Sequence, residues 1–309
     1  KIDERRKIID NPPQILITNF DILHYHLWHQ TKFSSILSST RILIVDEAHV
    51  YSGIFGSNVH YIIKRLKRIC SNKLQFVAAS ATLDDAKEFC QKLFGEKMQI
   101  IRGSGKKGQT DFVMLFPSLR TQRALMVELT KKMTEKNHKT MVFSNSHLNS
   151  ELLAMQAKKQ KVNIKVHRAG LMVNYRTAVE KQFKEDKLQA ISCTPTLELG
   201  IDVGNVDCVI SSTIPVNRLI QRIGRAARKG QRGYAFLALG NDPISQYYKN
   251  HPDDYFEDIE KTYIDPKNPF VEEFQVLAMA CDRPISKHEL KEHQEVIEQH
   301  IIKENLQLI

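Results

Sequence analysis

Two adjacent carboxylates, Asp46 and Glu47, follow the apolar run Ile42 to Val45 in the stretch RILIVDEAH. Such a run suits a buried parallel strand, and open α/β sheets bind ligands at the carboxyl ends of their strands. One carboxylate there could hold Mg²⁺ through its water shell, and the next could orient a water for attack on a phosphoryl group. A strand ending in a solvated acidic turn explains the pair equally well by itself. Far downstream, QRIGRAARKG at 221–230 carries Gln221, Arg225 and Arg228. On a helix, two arginines three apart share a face, and Gly224 would let that helix lie close to another backbone. A planar, permanently charged guanidinium suits the charge that spreads over a transferring γ-phosphoryl. The plainer alternative is a basic surface helix.

The elements that must position these groups follow from hydrophobic spacing. Residues 14–18 (QILIT) read as a strand and 19–28 as the start of a helix. At their junction, Thr18 and Asn19 could present a hydroxyl, an amide and a helix N-terminus to a phosphate, or simply cap the helix. A strand at 41–46 carries the carboxylates. Residues 57–70 read as a helix whose apolar residues recur at helical spacing, with Lys64, Arg65, Lys67 and Arg68 on a basic face that is either solvated or set on a phosphate backbone. A strand at 74–79 ends in Ser80, Ala81 and Thr82. A helix at 84–94 closes on Gly95, and 98–101 reads as a short strand. From 111 to 239 strands alternate with helices. Strands fall at 111–116, 140–143, 163–166, 189–193, 206–210 and 233–239, and helices at 118–136, 147–159, 173–185 and 215–228. That alternation predicts a second parallel sheet covered on both faces.

Composition bounds the partners. The 309 residues suit two or three domains, and a hydrophobic content of 42% is ample for buried cores. The net charge of +10 is uneven, since residues 1–240 carry +18 and residues 241–309 carry −8. A basic body with an acidic tail suits a polyanionic ligand. No run of eighteen apolar residues occurs and the N-terminus lacks a signal-peptide core, so no membrane is expected. The five cysteines form no C-x-x-C pair, which argues against zinc and disulfides and for a reducing intracellular compartment, cytoplasmic or nuclear. GSGKKGQT at 103–110 nearly matches a phosphate-binding loop. Gln109 stands in place of its lysine, so the stretch reads as a hinge.

Taken in order, TNFDILH, DEAH, SAT, VFSNS at 142–146, TPTLELGIDV at 194–203 and QRIGRAARKG form a series that resembles superfamily-two helicases. The wording of these motifs is similar to that of the MrfA-like and Lhr-like DNA helicases. The resemblance implies two RecA-like lobes in an α/β fold. A partial first lobe would occupy 1–102, a linker 103–109, a second lobe 110–240 and an acidic helical segment 241–309. It implies ATP and Mg²⁺ as cofactors, single-stranded DNA as partner, and DNA repair as a setting. RNA, or a non-catalytic nucleic-acid-binding module, is the alternative. Residue by residue, it implies that Asp46 holds Mg²⁺ and Glu47 activates water. His49, Ser80 and Thr82 would couple the ATP site to lobe movement, and Gly200 and Asp202 would approach the nucleotide. Gln221 would sense the γ-phosphate, Arg225 and Arg228 would be arginine fingers, and Thr18, Asn19, Ser144 and Thr194 would touch the nucleic-acid backbone. The family's phosphate-binding loop lies upstream of Thr18, and none of the first 45 residues supplies G-x-x-x-x-G-K-[ST]. An upstream segment or a partner chain is therefore expected to complete the first lobe, and the 309 residues alone are expected to be inactive.

Overall fold

The computed structural model describes residues 7–80, 83, 85–103, 109–198, 204–226, 232–257 and 261–307. The chain forms two compact units, Lys1–Ile101 with Lys261–Ile309, and Arg102–Glu260.

In the first unit the chain runs through α1 (Phe20–Trp28), α2 (Phe33–Ser38), β1 (Ile42–Val45), α3 (Gly53–Ile69), β2 (Gln75–Ala78) and α4 (Ala86–Phe94). The expected apolar stripe of α3 forms: Val59, Ile62, Ile63 and Leu66 are buried with Leu23 and Leu27 of α1 and Leu93 and Phe94 of α4. Gly56 is required early in α3, because a Cβ there would stand 2.2 Å from the Tyr51 carbonyl oxygen. Gly95 closes α4 in the left-handed conformation, φ 63°. Helix α2, short and serine-rich, is not among the elements read from hydrophobic spacing. Burial of Phe33, Ile36 and Leu37 overrides its weak local preference.

Strands β1 and β2 pair in parallel, from Ile42 with Gln75 to Val45 with Ala78. The strands expected at 14–18 and 98–101 do not form, and Ile15, Ile17 and Ile101 are 82%, 93% and 94% exposed. A strand needs a neighbour for its N–H and C=O groups. Among the described residues this unit's sheet has only two strands.

The second unit matches its predicted alternation closely. It contains β3 (Thr110–Leu115), α5 (Gln122–Glu135), β4 (Thr140–Phe143), α6 (His147–Lys159), β5 (Ile164–His167), α7 (Val173–Lys184), β6 (Ala190–Cys193), β7 (Cys208–Ser212), α8 (Val216–Ile223) and β8 (Gly233–Ala238). All neighbours in the sheet are parallel, in the order β3-β8-β7-β4-β6-β5. Strands β4, β6 and β7 are buried throughout, as the near-continuous apolar runs of a sheet covered on both faces require. The order reverses between β4 and β7, which makes their carboxyl ends a topological switch point.

The acidic segment expected as one piece over 241–309 divides between the units. Helices α9 (Pro243–Asn250) and α10 (Asp254–Glu257) stay with the second, where Tyr248 and Tyr255 pack with Ile214, Leu219 and Leu237. Helices α11 (Pro269–Asp282), α12 (Lys287–Glu292) and α13 (Gln294–Ile302) pack in the first. Their carboxylates meet Lys64, Arg65 and Arg68 on the basic face of α3, which pairs with these groups in place of a phosphate backbone. Arg65 is fully buried and donates twice to Asp282, each at 2.7 Å. Arg68 donates to Glu289 at 2.6 Å and to the Met279 carbonyl at 2.5 Å, and Lys64 lies 2.7 Å from Glu292. Lys67 instead donates to the Phe94 carbonyl at 2.6 Å.

These contacts set a pH dependence. Burial pulls His24, His49 and His60 below the ordinary value of 6.5, with the Arg65 charge adding to the effect at His24. Against the upward pull of burial, the Ser286 N–H and the Arg68 guanidinium hold Glu289 at about 2. In each case the unfolded chain binds protons before the folded one does. Stability is then fully present above about pH 6.5 and lost as the pH falls, first through the histidines and then through Glu289. The unfolding midpoint should hold from pH 7.5 to about 6.5 and then decline towards pH 5; a flat profile over the whole range would contradict the assignment.

Candidate nucleotide and nucleic-acid sites

In the first unit the chemistry-bearing residues gather at the carboxyl ends of β1 and β2. The chain leaves Val45 and turns through Glu47, whose φ of 49° and ψ of 47° are left-handed for a residue with a side chain. Such a conformation costs on the order of 1–3 kcal/mol and persists only where its surroundings hold it. Here Asp46 Oδ1 accepts the Glu47 N–H at 2.9 Å, and the Ala79 carbonyl accepts the Ala48 N–H at 2.9 Å. Asp46 stays exposed and Glu47 half-buried. His49 Nδ1 lies 2.9 Å from the Ser80 hydroxyl and 3.6 Å from Glu47 Oε2. Two of the three expected coupling residues are thus in contact, one link from the carboxylate. Thr82 lies outside the described residues.

Thr18 and Asn19 are exposed just before α1. Asn19 acts as the helix cap, its Oδ1 accepting the Ile22 N–H at 2.9 Å.

In the second unit Ser144 follows β4 and Thr194 follows the neighbouring β6, and the Ser144 N–H donates to the Cys193 carbonyl at 2.9 Å. Both are only 3% exposed. The loop beside them is held across the switch point, where Asn145 Nδ2 donates to the Thr213 carbonyl at 2.7 Å. Thr213 in turn meets the Ser245 hydroxyl at 2.8 Å, and the Tyr255 hydroxyl donates to the Ile214 carbonyl at 2.7 Å. Helices α9 and α10 therefore brace this loop.

Gln221 is half-buried on α8. The helix expected to run to 228 stops at Ile223, and Arg225 and Ala226 close the turn with N–H bonds to Arg222 and Ile223. Arg225 is thus beyond the helix, and Arg228 lies outside the described residues, as do Gly200 and Asp202. Gly224 adopts an ordinary φ of −59°, and an added Cβ would meet only carbonyls of its own helix at 3.4 Å. The close backbone approach expected of it is not seen among the described residues. Arg225 is 7% exposed and donates through Nε to the Glu198 carbonyl at 3.0 Å.

Sequence reasoning missed Glu198, Arg218 and Arg222. Glu198 Oε1 accepts Arg222 Nε at 2.6 Å and Arg218 Nη2 at 3.0 Å. Burial lowers the pKa of Arg222, and the Glu198 charge opposes that shift. A carboxylate inside the otherwise apolar stretch LELGI, with arginines spaced i, i+4 downstream, was the available signal.

Comparisons with known proteins place the chain in a family. Residues 1–89 match the family described as DEAD/DEAH box helicase, and residues 121–230 match the helicase conserved C-terminal domain. The chain belongs to the superfamily-two helicases. Its likeness to an uncharacterized ATP-dependent helicase of Methanocaldococcus jannaschii is 33% identity over 85% of this chain and 40% of that protein. With the ATP-dependent helicase hrq1 of Schizosaccharomyces pombe it shares 31% over 81% of this chain and 26% of that one. The chain thus spans two fifths or less of these relatives. Among solved structures, the DUF1998 helicase MrfA bound to DNA superposes with a TM-score of 0.89 at 28% identity, covering 98% of this chain and 44% of MrfA. For a superfamily-two helicase, two parallel sheets covered by helices are the RecA-like lobes of the family, and the C-terminal segment is helical as expected.

Proposed function

We propose that this chain is the motor portion of an ATP-dependent DNA helicase or translocase, coupling ATP hydrolysis to movement on single-stranded DNA. The likeness to MrfA solved with DNA carries this reading, at 28% identity over 98% of the chain. In this reading Thr18, Asn19 and the loops built on Ser144 and Thr194 meet the nucleic-acid backbone. Glu47 orients the attacking water, and His49 with Ser80 and Thr82 passes the state of the site to the rest of the lobe. Gln221, Arg225, Arg228, Gly200 and Asp202 face the nucleotide from the second lobe. An exposed carboxylate at a strand end fits magnesium, a hard ion that takes one or two carboxylates, waters and substrate phosphates. Asp46 would hold it through water, and the ion would neutralise charge on the triphosphate. The first lobe is completed by an upstream segment or partner chain that brings the phosphate-binding loop. The exposed Ile42, Ile44 and Val77 on the β1–β2 pair support this, since such a face calls for cover.

Phosphate release with and without single-stranded DNA tests the reading, using this 309-residue chain and one extended upstream. Turnover is expected only from the longer protein, stimulated by DNA and abolished by Glu47→Gln. Robust turnover by the short chain would put the phosphate site within these residues, and stimulation by RNA alone would make the motor an RNA helicase.

A further inference from the structure

The segment from Thr194 to Glu198 joins a proposed nucleic-acid contact to the residues proposed to approach the nucleotide. It turns through a short 3-10 helix, Pro195–Leu197, and is anchored on both sides. On one side Thr196 Oγ1 lies 3.0 Å from Nδ1 of the buried His167, whose Nε2 lies 2.7 Å from Glu180. On the other side Glu198, 6% exposed, binds three arginines. Its carboxylate takes Arg218 and Arg222, and its carbonyl takes Nε and Nη2 of Arg225. Arg222, with no exposed surface, also donates to Ser211 Oγ of β7 at 2.6 Å and lies 4.7 Å from the Phe143 ring of β4.

A buried ion pair is weak evidence for stability, because well-packed apolar residues of similar volume commonly hold a fold as well or better. What a rigid guanidinium fork and a carboxylate add is register, since their bonds are directional and tolerate little displacement. The three arginines lie on or just beyond α8, the element that also carries Gln221. We infer that Glu198 is a positioning residue for ATP hydrolysis, holding the Thr194–Glu198 segment in register with the helix and turn that present Gln221 and Arg225. This rests on the reading above. A nucleic acid that shifts the loop at Thr194 would move Arg225 through Glu198, without touching α8.

Two variants test it in the full-length protein. Glu198→Asp keeps the charge but withdraws it by one methylene. Arg218→Ala removes a partly exposed partner and leaves the buried Glu198–Arg222 pair intact. Misplacing a catalytic group by about 1 Å can cost on the order of 10²-fold, so Glu198→Asp should lower DNA-stimulated kcat by roughly 10- to 100-fold. KM for ATP and the Kd for single-stranded DNA should stay within about threefold of wild type, because binding contacts are untouched. Arg218→Ala should lower kcat by a smaller factor, at an unchanged unfolding temperature. Hydrogen exchange on the 309-residue chain gives a readout that needs no ATP. Oligo-dT should alter protection across 216–226 in the wild type and leave it unaltered in bound Glu198→Asp. If both variants keep kcat within about twofold, or lose it only in proportion to the folded fraction, the inference is overturned. If Glu198→Asp does not fold, Arg218→Ala decides. A wild type with no DNA binding and no DNA-stimulated turnover would fail the helicase reading, and the inference with it. A wild type that has both, with insensitive variants, would fail the inference alone.

Discussion

Arg228→Ala in the full-length protein should lower kcat on the order of 10³-fold while leaving DNA affinity nearly intact, the size expected for an arginine acting on γ-phosphate charge. Arg225→Ala should also abolish turnover, but for two reasons at once. Its guanidinium donates to the Glu198 carbonyl and is 7% exposed, so truncation leaves a buried acceptor without those donors as well as removing a charge. Leaving such a group unsatisfied costs about 1–3 kcal/mol. Arg225→Ala is therefore expected to lower the unfolding temperature as well as the rate. Phosphate release, DNA titration and thermal unfolding on both variants separate the effects. A variant that kept its ATPase rate and lost DNA affinity would make that arginine a nucleic-acid contact and not a finger.

Arg65→Ala should destabilise the first unit by about 3–5 kcal/mol, the range for removing one member of a buried ion pair. The Arg65 side chain has no exposed surface and that of Asp282 has 1%, so the carboxylate would be stranded in the interior. His24 and Gln275 would each lose a donor as well, at 2.6 and 3.2 Å. Against a typical total of about 5–15 kcal/mol, this is enough to unfold a marginal domain. The double variant Arg65→Met with Asp282→Leu should cost much less than the sum of the single changes, because no charge is left unpaired. Denaturant titration of the 309-residue chain measures both. A cost below about 1 kcal/mol for Arg65→Ala would mean that water reaches this pair and that the C-terminal helices are only loosely held.

The sequence by itself determined the parts of this protein that depend on near neighbours. The period of apolar residues was enough for the six strands and four helices described between Thr110 and Ala238, because strands buried on both faces and amphipathic helices carry their burial in their own spacing. The DEAH turn, the segment at 194–203 and QRIGRAARKG were legible for the same reason, since each sits in one short stretch. In the first unit β1, α3 and α4 were equally readable. Strands at 14–18 and 98–101 were not, because a strand exists only with a partner, and pairing is not written in the strand's own residues.

Tertiary structure alone decided where the charges go. The basic face of α3 meets Asp282, Glu289 and Glu292, more than 200 residues away, and no local spacing distinguishes such a face from one that waits for DNA. The same holds for the contact of His49 with Ser80, which depends on β1 and β2 lying side by side, and for Glu198 with its three arginines, which are brought together across β4 from the ends of β6 and β7. Local pattern fixes which face of an element is apolar. Which distant element covers a charged face is set by packing, because an isolated carboxylate or guanidinium can be buried only where its counter-ion is buried with it.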